Sequence, residues 1–286
     1  MIPMPPRHES RGFGLVELMI TLTIMAGMLF MVFATLRHSQ QQSGRIMNVA
    51  DERQMARTAI QLIERETRMA GSGWGKDTVQ AGYNGTSWSF YAVNPGPGAI
   101  NSSDSLRLVG AWQASTYLSP DSMLTSSSTM KVNSTAGFST GDFIIITSPT
   151  SSHLFQVTGI GSSPPTLLHA NTSKYNTGQA LWPLGGYKAN STNIYKVTIA
   201  TYKYDSTSYK RPAIVRTELG QAPQVVAYNV DGFRVWYEMQ DGTRTRNPGL
   251  LTFVNKVTPV VYTKVTDPRL PTLRDSVWAS IRPRTF

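Results

Sequence analysis

The sequence predicts an α+β fold: a long N-terminal α-helix, with a membrane half and an amphipathic half, packed on an antiparallel β-sheet domain that carries an inserted β subdomain. Three observations predict it. Leu18 to Leu36 contains no charged residue. Met55, Ala59, Leu62, Ile63 and Ala70 then recur at three- and four-residue spacing, the period of one helix face. From Trp74 onward the apolar period changes to two, and glycine, proline, asparagine and serine separate runs rich in β-branched and aromatic residues.

The first element is the uncharged run. At about 1.5 Å per residue its nineteen residues nearly cross a hydrocarbon core of about 30 Å. Glu17 stands at its edge, where a lone carboxylate is costly in lipid and marks a functional position unless it snorkels out of a simple signal anchor. The run ends at Arg37 and His38, and a polar stretch follows in which only Gly44 disfavours a helix.

In the second helical pattern Arg53, Arg57, Gln61, Glu64, Arg65 and Arg68 occupy the faces away from the apolar one. Glu64 and Arg68 are spaced for an i,i+4 pair, and Gly71-Ser72-Gly73 supplies a stop. The two patterns form either one helix from Phe13 to Ala70, about 87 Å long, or two helices hinged near Gly44. In the first case the helix is apolar on all sides in one half and on one face in the other, so its far half packs on the sheet.

Strands are predicted at Trp88–Val93, Ser105–Val109, Phe143–Thr147, Leu154–Ile160, Ile194–Tyr204, Ala213–Leu219 and Gln224–Glu238. Asp231-Gly232 and Asp241-Gly242 are turn signals, the first a tight hairpin or a bulge. No helical crossover separates the strands, which points to antiparallel pairing. The serine- and threonine-rich stretch from about Trp112 to Tyr187 reads as an inserted β subdomain or long loop, or as an O-glycosylated surface.

Ordinary secretory signals are cut after their apolar core. Here a short polar leader ends at Gly12, before the apolar run begins, and Phe13 and Glu17 follow in register. This arrangement resembles the class III signal of type IV pilins. In that family a prepilin peptidase cuts after the glycine and methylates the new terminal residue, and a glutamate stands fifth in the mature chain. The resemblance makes Gly12 and Phe13 processing residues and Glu17 an assembly residue. The family commonly has proline at the twenty-second mature position, where this chain has Ala34.

Later stretches extend the likeness. Glu66-Thr67-Arg68-Met69-Ala70-Gly71, Thr140 to Ile146, the run from Val225 to Tyr237 and Val277 to Arg284 are similar to PilW-type minor pilins. The J pseudopilin of type II secretion shares the leader, the helix and part of the late run. What the resemblance implies is a structural subunit of a priming or tip complex that initiates pilus assembly. Its partners would be other minor and major pilins, the prepilin peptidase, an inner-membrane assembly platform and membrane lipid. The chain then divides into a leader at 1–12, a transmembrane and assembly helix at 13–36, its amphipathic continuation at 37–71, and an extracytoplasmic β-rich domain at 72–286 with its insertion at about 112–190. The protein would be a single-pass inner-membrane protein with a periplasmic C-terminal domain before assembly, and part of a surface pilus afterwards.

Composition is compatible with this. The 286 residues include 27 basic and 17 acidic ones, and losing Arg7, Glu9 and Arg11 with the leader leaves 25 against 16. The basic residues are scattered, without the cluster of a nucleic-acid footprint. With no cysteine, thiol chemistry and disulfide staples are excluded. His8 leaves with the leader and His38 borders the apolar run, while His153 and His169 stand in no zinc-ligand spacing. The aspartates adjoin serine or glycine in turn-like contexts. The sequence therefore predicts no catalytic residue, no metal site, no cofactor and no enzymatic activity, and the readings from another class are a membrane-anchored surface binding protein or hydrolase.

Overall fold

A computed structural model describes residues 14–74, 78–96, 104–111, 113–248, 254–263 and 275–283. Helix α1 (Leu15–Met69) runs unbroken through Ala34 and Gly44. One exposed glycine costs a helix about 1 kcal/mol relative to alanine, which a ladder of this length absorbs, so Gly44 does not interrupt the helix. The chain divides into two compact units, Met1–Asp51 and Glu52–Phe286.

In the second unit the buried helix face is Ala56, Ala59, Ile60, Ile63 and Ala70, with Leu62 packed beside it. Met55 falls off this face and is 43% exposed. The Arg68 guanidinium meets Glu64 at 2.6 Å, as the spacing predicts, on an exposed face where such a pair is worth little. The helix stops where Gly71 and Gly73 adopt positive φ and the Gly71 N–H turns away to donate to the Val109 carbonyl at 2.9 Å.

The strands run, in chain order, β1 (Val79–Tyr83), β2 (Thr86–Phe90), β3 (Val93–Pro95), β4 (Ser105–Gly110), β5 (Ser115–Tyr117), β6 (Met130–Lys131), β7 (Phe143–Ser148), β8 (Ser151–Gln156) and β9 (Gly159–Ser162). There follow β10 (Pro165–Leu168), β11 (Asn193–Asp205), β12 (Ala213–Glu218), β13 (Gln224–Tyr228), β14 (Val230–Met239), β15 (Arg244–Thr245), β16 (Val254–Thr263) and β17 (Asp275–Trp278). Among the described residues they form a ten-stranded sheet along β13-β12-β11-β7-β8-β1-β2 with β3, β4 and β5 attached, a three-stranded sheet β6-β10-β9 and a four-stranded sheet β15-β14-β16-β17.

The 13-residue β11 is the spine of the large sheet. Its first half pairs with β5 and β7, from Asn193 opposite Thr147 to Val197 opposite Phe143. Its second half pairs with β4 and β12, and Thr201 stands opposite both Arg107 and Thr217. The stretch 112–190 supplies β5, β7 and β8 to this sheet and β6, β9 and β10 to the separate three-stranded one.

The expectation of a purely antiparallel sheet needs correction. β1 and β8 pair in parallel, through Gln80 opposite His153 and Ala81 opposite Leu154. Parallel pairing requires only a long connection, and here the intervening strands provide it in place of a helix.

Of the two readings of Asp231-Gly232, the bulge is the observed one: the register of β14 against β16 shifts between Val230 and Gly232. The turn is made one step earlier, by Asn229 at φ 57°, and β13 and β14 belong to different sheets. Asp241-Gly242 makes the turn between β14 and β15, where the Asp241 carboxylate accepts the Thr243 N–H at 2.8 Å.

Burial follows these sheets. One core joins the helix face to β4, the far half of β11, β14 and β16 through Leu106, Tyr202, Phe233 and Val257. A second gathers Leu118, Met130, Ile144, Phe155, Leu167 and Tyr187. A third packs Trp74 against Val79, Ile145 and Leu154.

His153, fully buried beside the second core, has its Nε2 2.8 Å from the Ala180 carbonyl and its Nδ1 2.7 Å from the Tyr187 hydroxyl. A carbonyl only accepts, so Nε2 carries the proton and Nδ1 accepts from Tyr187. Burial holds the His153 pKa below 6.5, more than its hydrogen bond to Ala180 raises it, and burial likewise lowers His169. A lowered folded-state pKa means that the unfolded chain binds more protons as pH falls. The stability from these neutral imidazoles is therefore complete above about pH 6.5 and is lost as pH drops below it. Thermal melting at pH 7 and pH 5 should show a lower Tm at pH 5. The His153→Phe variant should have a lower Tm at pH 7 and a shallower drop on acidification.

Candidate functional site

Of the residues that the sequence singles out, Glu17 lies at the start of α1. Gly12 and Phe13 are outside the described residues. Gly14 precedes the helix, and its carbonyl accepts the N–H groups of Glu17 at 2.9 Å and Leu18 at 3.2 Å, which places Glu17 in the first turn.

From Leu15 to Leu36 every side chain is exposed, including Leu15 at 78%, Phe30 at 76% and Met31 at 72%. No face of this segment is polar. The polar atoms that it does carry are internally satisfied: Thr21, Thr23 and Thr35 donate to the carbonyls of Glu17, Met19 and Met31 at 3.0, 2.7 and 2.8 Å. Such back-bonding hides hydroxyls from an apolar surrounding. The segment is long and apolar enough to cross a membrane. Glu17 differs from the threonines: among the described residues nothing meets its carboxylate. A bundle of apolar helices formed around it would bury that charge.

The other end of the helix carries a second polar constellation, one that the periodicity did not disclose. Glu66 lies on the buried face. Its carboxylate accepts the Tyr202 hydroxyl at 2.7 Å and meets the Arg216 guanidinium through Nε at 3.0 Å and Nη2 at 2.8 Å. Arg216 also pairs with Glu218. Burial pushes the Tyr202 phenol well above its usual range, and the Glu66 charge adds to this. Burial alone would lower Arg216, but its hydrogen bonds to Glu66 and Glu218 outweigh it and raise its pKa. The cluster bolts the helix to β11 and β12. Its signal was the acid in Glu66-Thr67-Arg68, which breaks the apolar face of the helix.

The aspartates do what turn residues do. Asp205 accepts the N–H groups of Thr207 and Ser208, both at 2.9 Å, and those bonds hold its carboxyl far below the ordinary range. Asp142 accepts the Ser139 N–H at 2.7 Å and pairs with Lys196 at 2.8 Å. Asp104 is different: it accepts the Val235 N–H at 2.8 Å and pairs with Arg246, tying β14 to the start of β4. His169 faces the Ser126 carbonyl through Nε2 at 3.0 Å.

No family profile, curated protein or solved structure matches this chain.

Proposed function

We propose that this chain is a minor pilin of a type IV pilus, a structural subunit of the priming or tip complex, without catalytic activity. The observation that carries the reading is one of register. Gly12 and Phe13 precede in sequence, and Glu17 opens, a helical segment that exposes apolar side chains on every face. A protein whose leader is removed ahead of that segment keeps it as the means of anchoring and of assembly. The precursor would sit in the inner membrane with its β-rich domain in the periplasm, and the mature subunit would pass into the filament beside other minor and major pilins. Prepilin peptidase, an assembly platform and membrane lipid are the further partners of this reading.

Cleavage gives the first test. A peptidase that cuts after glycine admits no bulky side chain there, so Gly12→Leu should accumulate as the uncut precursor in cells that process the wild type fully. Electrophoresis of the membrane fraction reads the outcome, and complete processing of Gly12→Leu would remove Gly12 from the role.

The J pseudopilin of type II secretion is the alternative, because it shares the leader, the helix and part of the late run. Deleting the gene separates the two. A minor pilin is needed for surface filaments and leaves protein secretion intact, whereas a pseudopilin shows the reverse.

A further inference from the structure

The face of the large sheet turned away from the helix bears a cleft with a volume of about 770 Å³. Alternation along β11 builds it. Ala200, Tyr202 and Tyr204 enter the helix-side core, so Ile199, Thr201 and Lys203 point the other way and form the floor. Arg107 stands opposite Thr201 on β4 and joins that floor. The walls come from elsewhere in the chain. Asn84 and Gly85, at φ 49° and 79°, turn β1 into β2 in a two-residue hairpin that presents Tyr83 and Trp88, while Tyr175 packs against Tyr83 with ring centroids 5.2 Å apart.

The charge of this cleft is one-sided. Arg107 and Lys203 line it, and among the described residues no acidic side chain does. Lys174 adds a third cation at the rim, 5.3 Å over the Tyr83 ring and 5.4 Å over that of Tyr175. Arg107 is half-buried, and among the described residues it has neither an ion pair nor a hydrogen-bond partner for its guanidinium. Its pKa is lowered by burial alone. A partly desolvated guanidinium without a counter-ion is unfavourable by itself and becomes favourable when an anion with matching planar geometry reaches it.

The remaining wall chemistry narrows the class of that anion. Thr86, Thr201, Thr217 and Asn84 offer hydroxyl and amide groups, and the aromatic side chains offer flat apolar faces. A fatty ligand would leave these groups and Arg107 unsatisfied. A nucleic-acid strand needs a track of cations following its phosphates, and here Arg107 and Lys203 form one diagonal pair across adjacent strands, Arg107 opposite Thr201 and Lys203 opposite Ser105. Sugar rings carry one flat apolar face and a rim of hydroxyls, and an acidic sugar adds the carboxylate that a guanidinium grips in a fork.

We infer that this cleft binds an acidic oligosaccharide, with Arg107 and Lys203 holding a ring carboxylate, the threonines meeting sugar hydroxyls and the aromatic wall covering the ring face. This site stands independently of the pilin reading, because all its residues belong to the β-rich unit. It would give the domain a polysaccharide to hold, as a surface or capsule component carrying uronic acids.

The test is calorimetric titration of the full chain in detergent with a short oligogalacturonate, beside a neutral maltooligosaccharide of equal length and a single-stranded oligothymidylate. Oligogalacturonate should bind, more weakly as salt is raised, and the neutral sugar should not. Arg107→Gln removes one charge-assisted fork and should weaken binding about tenfold or more. Trp88→Ala and Lys203→Ala should also weaken it, and a melting curve for each variant that overlays the wild type assigns the loss to the cleft. No binding of oligogalacturonate, equal binding of the neutral sugar, tighter binding of oligothymidylate, or full affinity in folded Arg107→Gln and Lys203→Ala would each overturn the assignment.

Discussion

A strain whose only copy carries Glu17→Gln is expected to make normal amounts of processed protein and few or no surface filaments. On the proposed reading the apolar segment is buried among like segments after assembly, and Glu17 is then a charge moved from water into hydrocarbon. That transfer costs several kcal/mol unless a cation lies close. The segment supplies none: Leu18 to Leu36 is uncharged, and its threonine hydroxyls are already bonded to their own helix. In the resembling family the cation is the terminal amine of a neighbouring subunit, here the processed Phe13. Phe13 precedes Glu17 by four residues, so a neighbour displaced along the bundle axis presents its amine to this carboxylate and thereby sets the axial register. Glutamine keeps the shape and removes the charge, so expression and cleavage should be unchanged while assembly fails. Filament counts by electron microscopy, beside an immunoblot for the processed subunit, read both. Normal filaments in that strain would make Glu17 a tolerated acid at a membrane edge.

The largest expected effect on stability belongs to Glu66. Replacing it by alanine leaves Arg216, whose side chain is 12% exposed, with the half-exposed Glu218 as its counter-charge and a buried gap beside the Tyr202 hydroxyl. Removing one partner of a buried pair typically costs about 3–5 kcal/mol, which for a domain of this size lowers Tm by on the order of 10 °C. The double change Glu66→Leu with Arg216→Leu removes both charges and should recover a good part of the loss, since apolar residues of similar volume often replace such pairs without penalty. Calorimetric melting of the wild type and the three variants measures this. If Arg216→Ala and Glu66→Ala each leave Tm unchanged, the cluster does not hold the helix to the sheet.

How much of this was legible in the sequence follows from the range of each interaction. The uncharged run, the spacing of Ala59, Ile63 and Ala70, and the β-branched and aromatic runs Phe143–Thr147 and Ile194–Tyr204 are local, and the helix and β7 and β11 lie where those patterns put them. Local rules also contained more than was drawn from them: Asn84-Gly85 is a two-residue hairpin signal, and it joins β1 to β2, of which β1 was not predicted. Strand β16 was obscured by Pro259, which argues against an interior strand although β14 and β17 flank it. Periodicity says nothing of partners. The parallel meeting of β1 and β8, the pairing of β13 with β12 instead of β14, and the contact of Glu66 with Arg216, 150 positions apart, arise from folding together of distant segments. The cleft is illegible for the same reason, since Trp88, Arg107, Tyr175 and Thr201 come from four separate stretches. The processing and assembly residues are the opposite case. Gly12, Phe13 and Glu17 are read by their order along the chain, and no tertiary contact is needed to recognise them.

That order makes one measurement decisive for the central claim: the intact mass of the protein extracted from the membrane of cells that carry a prepilin peptidase. A processed pilin lacks the mass of Met1 to Gly12 and gains that of one methyl group, with fragmentation placing the methyl on Phe13. A mass that retains Met1 to Gly12, or a first residue downstream of the apolar run, would contradict it.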